Sequence, residues 1–240
     1  MNIIAKIKHW FTETPYFEGT ITVSERIGSR IQKITIKLPF GVRGPFPMGS
    51  YIVAYTWGCV PRAYSIAKTD ENSFTLLVSF SGGGTGARYF RDIAVGKKVI
   101  CYGPYDDFPY RAGTGRPKIF FATSTGVAPF RMMADAAIRE DLHATIVLGS
   151  PKEGDVAFKE ELVELSKTNP LFTFIPTLSN PDSGWKGARG YVTDYIYKNP
   201  EIVHASDIYI CGIPIMTLGV LEALKKINVP QDQIFVQKFG

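Results

Sequence analysis

Cysteine is scarce in this 240-residue sequence, because Cys59, Cys101 and Cys211 are the whole set, odd in number and far apart. This pattern predicts neither a disulfide framework nor a metal site, and it excludes a four-cysteine iron–sulfur cluster within the sequence. Runs of roughly 20 apolar residues, which a membrane-spanning helix needs, are missing as well. The opening residues MNIIAKIKHW contain no apolar signal core, so we expect a cytoplasmic protein.

Internal repeats and low-complexity tracts are also missing from the sequence. Hydrophobic residues make up 45% and charged residues 20% of the chain, which is ample material for a buried core. This composition excludes disordered and collagen-like classes of protein. Length alone leaves open one large sheet protein or two domains of ordinary size.

Acidic residues are in deficit in the first half of the sequence. Residues 1–118 carry a net charge of +8, whereas residues 119–240 carry −3. A basic face of this kind steers an acidic partner or an anionic ligand toward itself. The basic residues are dispersed along strand-like segments without a recognition motif, so we do not expect nucleic acid as a partner.

Apolar residues recur at near-helical spacing between Ile3 and Phe11, with Lys6, Lys8 and His9 among them. Such a segment is able to lie on a membrane surface. One or two helical turns bury little area, so we favour a short arm packed on its own domain and do not expect membrane association.

Short β-rich runs broken by turns extend from about Glu18 to Phe108 and predict an antiparallel barrel or sandwich. The stretch PYRAGTGRP then has the composition of a linker, which places a domain boundary near residues 109–117. Beyond it, strands alternate with helices, as in a parallel sheet covered on both faces. The predicted strands are KIFFAT, ATIVLG, FTFIPT, DIYICG and QIFVQK, and the helices lie around 129–139, 158–167, 192–198 and 216–226.

Ligands of such sheets bind beyond the carboxyl ends of the strands. The first of these ends is ATSTGVAPF, residues 122–130, where Gly126 permits a tight turn and Pro129 suits the first turn of a helix. Amides at this point suit the diphosphate of a dinucleotide. The full G-x-G-x-x-G pattern is missing, so an ordinary βα turn remains the alternative.

Five motifs occur in a fixed order along the chain: Arg-Ala-Tyr-Ser at 62–65, Gly-Gly-Thr-Gly-Ala at 83–87, Gly-Pro-Tyr at 103–105, Thr-Gly-Val-Ala-Pro-Phe at 125–130 and Cys-Gly-Ile-Pro-Ile-Met at 211–216. In this order and spacing, residues 18–240 resemble the ferredoxin:NADP reductase family. The resemblance implies two domains. The first is an antiparallel β-barrel that binds FAD, residues 1–112, and the second is an α/β parallel-sheet domain that binds NAD(P), residues 113–240.

The resemblance also implies the residues that hold FAD. Arg62 would neutralise the diphosphate, Tyr64 would present its ring to the isoalloxazine, and Ser65 would place a hydroxyl near the reactive flavin nitrogen. Tyr64, Ser65 and Cys211 are the implied catalytic residues. The implied FAD-binding set is Arg62, Ala63, Tyr64, Ser65, Val78, Ser79, Phe80, Gly84, Thr85, Gly86, Ala87, Thr125 and Phe239.

Phe239 resembles a terminal aromatic that covers the flavin, and a core aromatic at a strand end is the alternative. The chain departs from the family pattern at Ala87, where Ser or Thr is usual, and at Asp106, where Gly is usual. These departures leave FAD or FMN open. Weaker retention of the flavin is expected from the missing hydroxyl at position 87.

The implied NAD(P)-binding set follows the ends of the predicted parallel strands. Ser124 stands where the family has Gly, so the approach of the nucleotide diphosphate is expected to differ. The set is Thr123, Ser124, Thr125, Gly126, Gly149, Ser150, Ser179, Cys211, Gly212 and Met216.

Preference between NADH and NADPH depends on a cation that meets the 2′-phosphate. The corresponding stretch, residues 178–182, contains no cation, and Asp182 would repel a phosphate. Lys186 and Arg189 lie close enough in sequence to offset that repulsion. Residues 181–192 resemble NADH-using reductase components of oxygenases, so we favour NADH.

The implied function is an oxidoreductase that passes a hydride from NAD(P)H to FAD, then single electrons to a separate acceptor. Acceptors of this kind are ferredoxin, flavodoxin, an oxygenase component or a free small molecule, and the basic barrel favours an acidic protein. Two alternatives remain. One is a non-catalytic flavin electron-transfer subunit of a larger complex, and the other is a diffusible flavin reductase.

Overall fold

A computed structural model describes residues 16–56, 60–80 and 83–237. Six antiparallel strands close into a barrel in the order β1-β2-β5-β4-β3-β6. The prediction from the residues had left barrel and sandwich open, and the barrel is confirmed. Its strands are β1 (Tyr16–Ile27), β2 (Ile31–Lys37), β3 (Tyr51–Thr56), β4 (Val60–Thr69), β5 (Ser73–Ser79) and β6 (Lys98–Tyr105).

Alternation of side chains along the strands fills the barrel. In β1, Phe17 and Ile21 are buried while Tyr16 and Glu18 face solvent, as expected for a strand with one face toward a core. The barrel closes because β6 pairs with β1, with Tyr102 opposite Tyr16. Closure leaves no free sheet edge on this domain.

The second domain contains six parallel strands in the order β10-β9-β8-β7-β11-β12. All residues of β11 and all but the last of β7 are buried, since helices cover both faces of such a sheet. Strand order reverses between β7 and β11, the point at which open α/β sheets bind ligands. The strands are β7 (Lys118–Thr123), β8 (Ala144–Ser150), β9 (Phe172–Leu178), β10 (Ala188–Arg189), β11 (Asp207–Cys211) and β12 (Ile234–Gln237).

The four helices predicted in this half of the chain are confirmed, each within two residues of the predicted ends. Two short helices and the two-residue strand β10 were not predicted, because elements this short carry almost no periodic signal. None of the helices in the described ranges has the length and apolarity that a bilayer crossing requires. The helices are α1 (Thr85–Arg91), α2 (Ala128–Arg139), α3 (Lys159–Thr168), α4 (Thr193–Lys198), α5 (Pro200–His204) and α6 (Pro214–Lys226).

A buried ion pair anchors the segment that connects the barrel to the parallel sheet. Lys118 and Asp207 are fully buried where β7 and β11 begin, with Nζ 2.6 Å from Oδ2. Thr114 donates its hydroxyl to the same carboxylate at 2.6 Å, and Arg116 donates to Oδ1 at 2.7 Å. Burial opposes ionisation of Asp207, but these hydrogen bonds outweigh it and lower the pKa. The predicted domain boundary at residue 112 lies in this connection and stays a prediction.

The barrel packs directly on the second domain. Ile31, Ala67 and Leu77 of the barrel belong to the same apolar cluster as α2 and one face of the parallel sheet. At the edge of this contact, Lys68 of β4 donates to Glu161 of α3, which also accepts from Arg131. The two domains therefore meet along β4, and the cavity described next opens on this seam.

Candidate functional site

Strand β4 delivers the Arg-Ala-Tyr-Ser motif to a cavity of about 420 Å³ between the domains, here called the interdomain cavity. The barrel supplies one wall from β4, β5 and the segment around α1, and the second domain supplies the other from the ends of β7 and β11. The structure thus brings together most of the implied FAD set, namely Arg62, Ala63, Tyr64, Ser65, Val78, Ser79, Gly84, Gly86, Ala87 and Thr125.

Tyr64 is held rigidly in this wall. Its ring meets Phe90 edge-on, with centroids 5.3 Å apart and planes at 86°. Burial raises the pKa of Tyr64 to about 12, and the charge of Arg62 opposes that rise, so the phenol is neutral at physiological pH. A Cβ on Gly86 would overlap the Tyr64 hydroxyl and lie 3.0 Å from Cγ of Arg62. Glycine at position 86 is therefore what keeps space beside both side chains.

Two members of the implied FAD set lie outside the interdomain cavity. Thr85 lines a neighbouring cavity with Arg88 and Lys97. Its buried hydroxyl has no hydrogen-bond partner within the described part of the chain. Phe80 ends β5, and its ring lies 4.8 Å from the guanidinium of Arg26. The glycine-rich motif at residues 83–87 runs into helix α1, which begins at residue 85.

The loop after β7 forms the floor of the cavity. It is a 3₁₀ turn, Ser124–Val127, that runs directly into α2. Ser124 has φ 52°, in the left-handed region where glycine is favoured. A Cβ on Gly126 would overlap the backbone carbonyl of Cys211. The ends of β7 and β11 are therefore in backbone contact, as the position of Gly126 in the motif requires.

Ser65 and Cys211, two of the implied catalytic residues, meet through Gln237, to which the sequence analysis gave no role. Ser65 Oγ donates to Gln237 Oε1 at 2.9 Å, and Cys211 Sγ donates to the same oxygen at 3.5 Å. Burial raises the pKa of Cys211 to about 12, so the sulfur is a neutral thiol at physiological pH. The group formed by these three side chains carries no charge.

A second cavity, of about 470 Å³, opens at the carboxyl edge of the parallel sheet and is called the sheet-edge cavity. It adjoins the interdomain cavity, because Thr123, Ser124 and Ile213 line both. The implied NAD(P) set divides between the two. Thr123, Ser124, Gly149, Ser150, Ser179 and Met216 line the sheet-edge cavity, while Thr125, Gly126, Cys211 and Gly212 line the interdomain cavity.

Thr123 ties the two cavities together at the switch in strand order. Its Oγ1 accepts a hydrogen bond of 3.1 Å from the backbone N–H of Ile213. Ile213 follows β11, so one hydroxyl links the loops after two neighbouring strands. The wall shared by the two cavities is consequently fixed by a side chain as well as by backbone packing.

The lining of the sheet-edge cavity contains side chains that sequence reasoning missed. Arg30 comes from the barrel and Asp155 from the segment after β8, and they are the charged members of the lining. Apolar side chains of Ile213, Ile215 and Val192 make up much of the rest. No local pattern marks Arg30, because only the packing of the two domains brings it to this cavity.

The residues considered for the 2′-phosphate lie elsewhere. Asp182 forms an ion pair of 2.5 Å with Lys152, so its charge is balanced locally. Arg189 donates from Nη2 to the backbone oxygen of Trp185 at 3.0 Å.

Phe239, the aromatic residue predicted to cover the flavin, lies outside the described residues. Its role stays a prediction.

The interdomain cavity suits a large anionic ligand with an aromatic ring. Arg62 provides a planar cation at one end, and the Tyr64 ring and the space beside Gly86 provide a flat wall. Behind the cavity wall, Gln237 accepts from the lining residues Ser65 and Cys211, and its buried amide nitrogen has no hydrogen-bond partner within the described ranges. Buried donors of this kind are normally satisfied by a ligand or water. These features fit the diphosphate and ring system of FAD.

Comparisons with known proteins agree with this geometry. Residues 120–221 match the oxidoreductase NAD-binding domain family. Ferredoxin–NADP reductase B of Sorangium cellulosum is 28% identical, over 93% of this chain and 97% of the relative. By both comparisons the chain is similar to members of the ferredoxin:NADP reductase superfamily. The members of this superfamily are FAD- and NAD(P)-binding oxidoreductases, and this chain is an NAD(P)H-dependent flavoprotein of that type.

Two further similar proteins extend the comparison. The reductase component of propane 2-monooxygenase from Rhodococcus jostii is 29% identical over 74% of this chain, which spans about half (51%) of that relative. The structure of a ferredoxin NADP⁺ reductase from Neisseria gonorrhoeae with bound FAD and NADP superposes with a TM-score of 0.79 at 18% identity. The aligned region covers 92% of this chain and 98% of the Neisseria gonorrhoeae chain. This likeness confirms the predicted fold.

Proposed function

We propose that the chain oxidises NAD(P)H, transfers the hydride to FAD in the interdomain cavity, and passes single electrons to a separate acceptor protein. FAD, when bound, supplies the conversion between two-electron and one-electron chemistry. The observation that carries the proposal is the wall shared by the two cavities. A nucleotide in the sheet-edge cavity reaches the interdomain cavity directly past Thr123, Ser124 and Ile213.

Residues of the interdomain cavity would hold the flavin by its two chemically different ends. Arg62 would bind the diphosphate as a planar donor, and the backbone at Gly84 and Gly86 would border the same anion. Tyr64 would pack its ring against the isoalloxazine. Ala87 would contribute no hydroxyl, so we expect the flavin to be retained less tightly.

Ser65 is placed to donate a hydrogen bond to the flavin at its reactive edge. Its single O–H donates to Gln237 Oε1 at 2.9 Å in this structure, so the hydroxyl would rotate from Gln237 toward the flavin to make that bond. Cys211 borders the same place as a neutral thiol, since burial raises its pKa to about 12. The residues position the reactants and exclude water, while the redox chemistry belongs to the two nucleotides.

NADH is the proposed reductant. No lysine or arginine of the second domain lies among the described residues that line the sheet-edge cavity, so a 2′-phosphate finds no cation on the strands that hold the adenosine end. Lys152 follows the lining residue Pro151 but is paired with Asp182. NADPH would therefore gain little over NADH from the second domain.

An acidic electron-transfer protein is the proposed acceptor, because residues 1–118 carry a net charge of +8. Ferredoxin, flavodoxin and an oxygenase component all meet that description. Reduction of such a partner is expected to slow as ionic strength rises, since salt screens attraction between exposed charges. A rate that does not respond to ionic strength would contradict an acidic partner.

Anaerobic titration of the flavin-loaded protein with NADH, and separately with NADPH, tests the proposal. We expect the flavin absorbance band to bleach with at least one nucleotide, and faster with NADH. Bound flavin that neither nucleotide bleaches would overturn the proposal in favour of an electron-relay subunit. Protein that retains no flavin but reduces added free FAD with NADH would instead identify a diffusible flavin reductase.

A further inference from the structure

Among the described residues that line the sheet-edge cavity, Arg30 is the one that belongs to the barrel. It lies in the three-residue turn that joins β1 to β2, between Ile27 and Ile31. The rest of the lining belongs to the second domain. A cation from one domain therefore reaches into a cavity that is otherwise built by the other.

The turn that carries Arg30 is anchored on Asp155. The Ser29 backbone N–H donates to Asp155 Oδ1 at 2.8 Å, and the Ser29 hydroxyl lies 3.2 Å from the same oxygen. A Cβ on Gly28, which has φ 55°, would overlap both the Gly154 carbonyl and the Asp155 carboxylate. This close approach fixes the position of the turn relative to the cavity.

The guanidinium of Arg30 is held loosely by the same carboxylate. Its Nε lies 3.7 Å from Asp155 Oδ2, and its side chain is 49% exposed whereas that of Asp155 is 6% exposed. This separation exceeds an ordinary N–H···O hydrogen bond. No other ion pair of Arg30 occurs in the parts of the chain that the structure describes. An arginine has five N–H donors in a fork that matches a phosphate, so most of that capacity stays available to a ligand.

The other cations near this edge of the sheet are engaged or lie outside the lining. Lys152 pairs with Asp182 at 2.5 Å, and Arg189 donates to the Trp185 carbonyl. Lys186 is absent from the described lining. Arg30 is thus the positive group placed to meet a phosphate in the cavity.

We propose that Arg30 binds a phosphate group of the nicotinamide nucleotide and that Asp155 is a positioning residue that holds the Arg30 turn in place. This inference rests on the proposed function. The phosphate is either the diphosphate shared by NADH and NADPH or the 2′-phosphate of NADPH, since both present the same chemistry. A residue of the barrel then supplies a positive charge to a nucleotide that is otherwise bound by the second domain.

Calorimetric titration of flavin-loaded protein with NAD⁺ and with NADP⁺ tests the inference on Arg30→Ala. The matched control is Lys33→Ala, which removes one positive charge from the same hairpin at a side chain paired with Glu25 and outside both cavities. We expect Arg30→Ala to weaken dinucleotide binding about tenfold, as loss of a charge-assisted hydrogen bond does, and Lys33→Ala to leave it unchanged. An equal loss for both nucleotides identifies the diphosphate, and a loss confined to NADP⁺ identifies the 2′-phosphate.

Reduction of the bound flavin by N-benzyl-dihydronicotinamide, a hydride donor without phosphate, checks that the variant is intact. Its rate is expected to be the same in wild type and Arg30→Ala. Unchanged affinity of Arg30→Ala for both dinucleotides, in a protein whose flavin NADH still bleaches, would overturn this inference alone. Wild-type protein that binds neither dinucleotide would overturn the proposed function together with it.

Discussion

The interdomain cavity takes its shape from tight contacts of backbone and short side chains, whereas the sheet-edge cavity has apolar walls and exposed apolar side chains at its rim. Around the first, Gly86 and Gly126 leave no space for a Cβ. Around the second, Ile215 is 77% and Tyr191 is 70% exposed. Close packing fixes one arrangement, while exposed apolar side chains offer a ligand surface to cover when it binds. We interpret the first cavity as the seat of a resident cofactor and the second as the seat of a substrate that leaves in each cycle.

Gly86→Val is expected to have the largest effect on ligand binding. It should disrupt the interdomain cavity and leave the sheet-edge cavity intact. Its side chain would overlap the Tyr64 hydroxyl and crowd Arg62, so we expect FAD affinity to fall at least about tenfold, as overpacking predicts. The ratio of flavin to protein absorbance after gel filtration measures it. Gly184→Ala is the control, because a Cβ at Gly184 meets only open space. Full flavin retention by Gly86→Val would contradict the assignment of this cavity.

Ser65→Ala tests the reactive edge of the same cavity. Because the variant loses the hydroxyl that now bonds to Gln237 at 2.9 Å, we expect bound flavin to be reduced about tenfold more slowly, the equivalent of one hydrogen bond. Stopped-flow reduction by NADH gives the rate. Ser50→Ala removes another fully buried hydroxyl of the barrel, one bonded to the Pro47 carbonyl at 2.6 Å. Equal slowing in both variants would assign Ser65 a purely structural part.

Ser124→Gly sharpens the comparison at the shared wall. Because Ser124 has φ 52°, glycine should relieve strain and raise the free energy of unfolding by about 1 kcal/mol, measured by urea denaturation. Asp141→Gly is the matched control, because Asp141 has φ 58° on an exposed position away from both cavities. We expect similar stabilisation from both and a change in nucleotide affinity from Ser124→Gly only. A change in affinity with Asp141→Gly would refute this distinction.

A change in pH is expected to have the smallest effect on the rate of flavin reduction. The pKa of Cys211 is raised to about 12 by burial, and Ser65 and Gln237 do not titrate, so the group stays neutral from about pH 6 to pH 9. Flavin reduction by N-benzyl-dihydronicotinamide should therefore be flat over this range. Gln237→Glu adds a buried carboxyl, whose pKa burial raises, and should introduce a pH-dependent rate. A sigmoidal change in the wild type near the ordinary pKa of a thiol would contradict a neutral Cys211.

Local motifs predicted the parts of the site that lie within single segments. The strand that carries Arg62 to Ser65 and the glycine turn at Gly126 are both readable, since a strand alternates its side chains and a βα turn needs a small residue. The barrel and the parallel sheet were predicted because short β-rich runs give way near residue 110 to strands that alternate with helices. These predictions needed no knowledge of which strands are neighbours.

Residues brought in by topology escaped prediction. Gln237 is one polar residue in an apolar strand, and it acquires a partner only because β12 pairs beside β11 with Gln237 opposite Cys211. Arg30 sits in an ordinary hairpin turn until Asp155 draws that turn onto the second domain. Conversely, Thr85 and Phe80 belong to the implied FAD-binding set but lie outside the interdomain cavity. Long-range packing decides each of these cases.

The hydrogen bond between Ser65 and Gln237 joins residues that are 172 positions apart. During synthesis the barrel has all its strands once Tyr105 has emerged, and domains tend to fold as units from the N-terminus. The wall of the flavin cavity stays incomplete until β12 docks beside β11. A nascent chain therefore holds a finished barrel well before it holds a finished cavity wall, which delays flavin chemistry until β12 has been made.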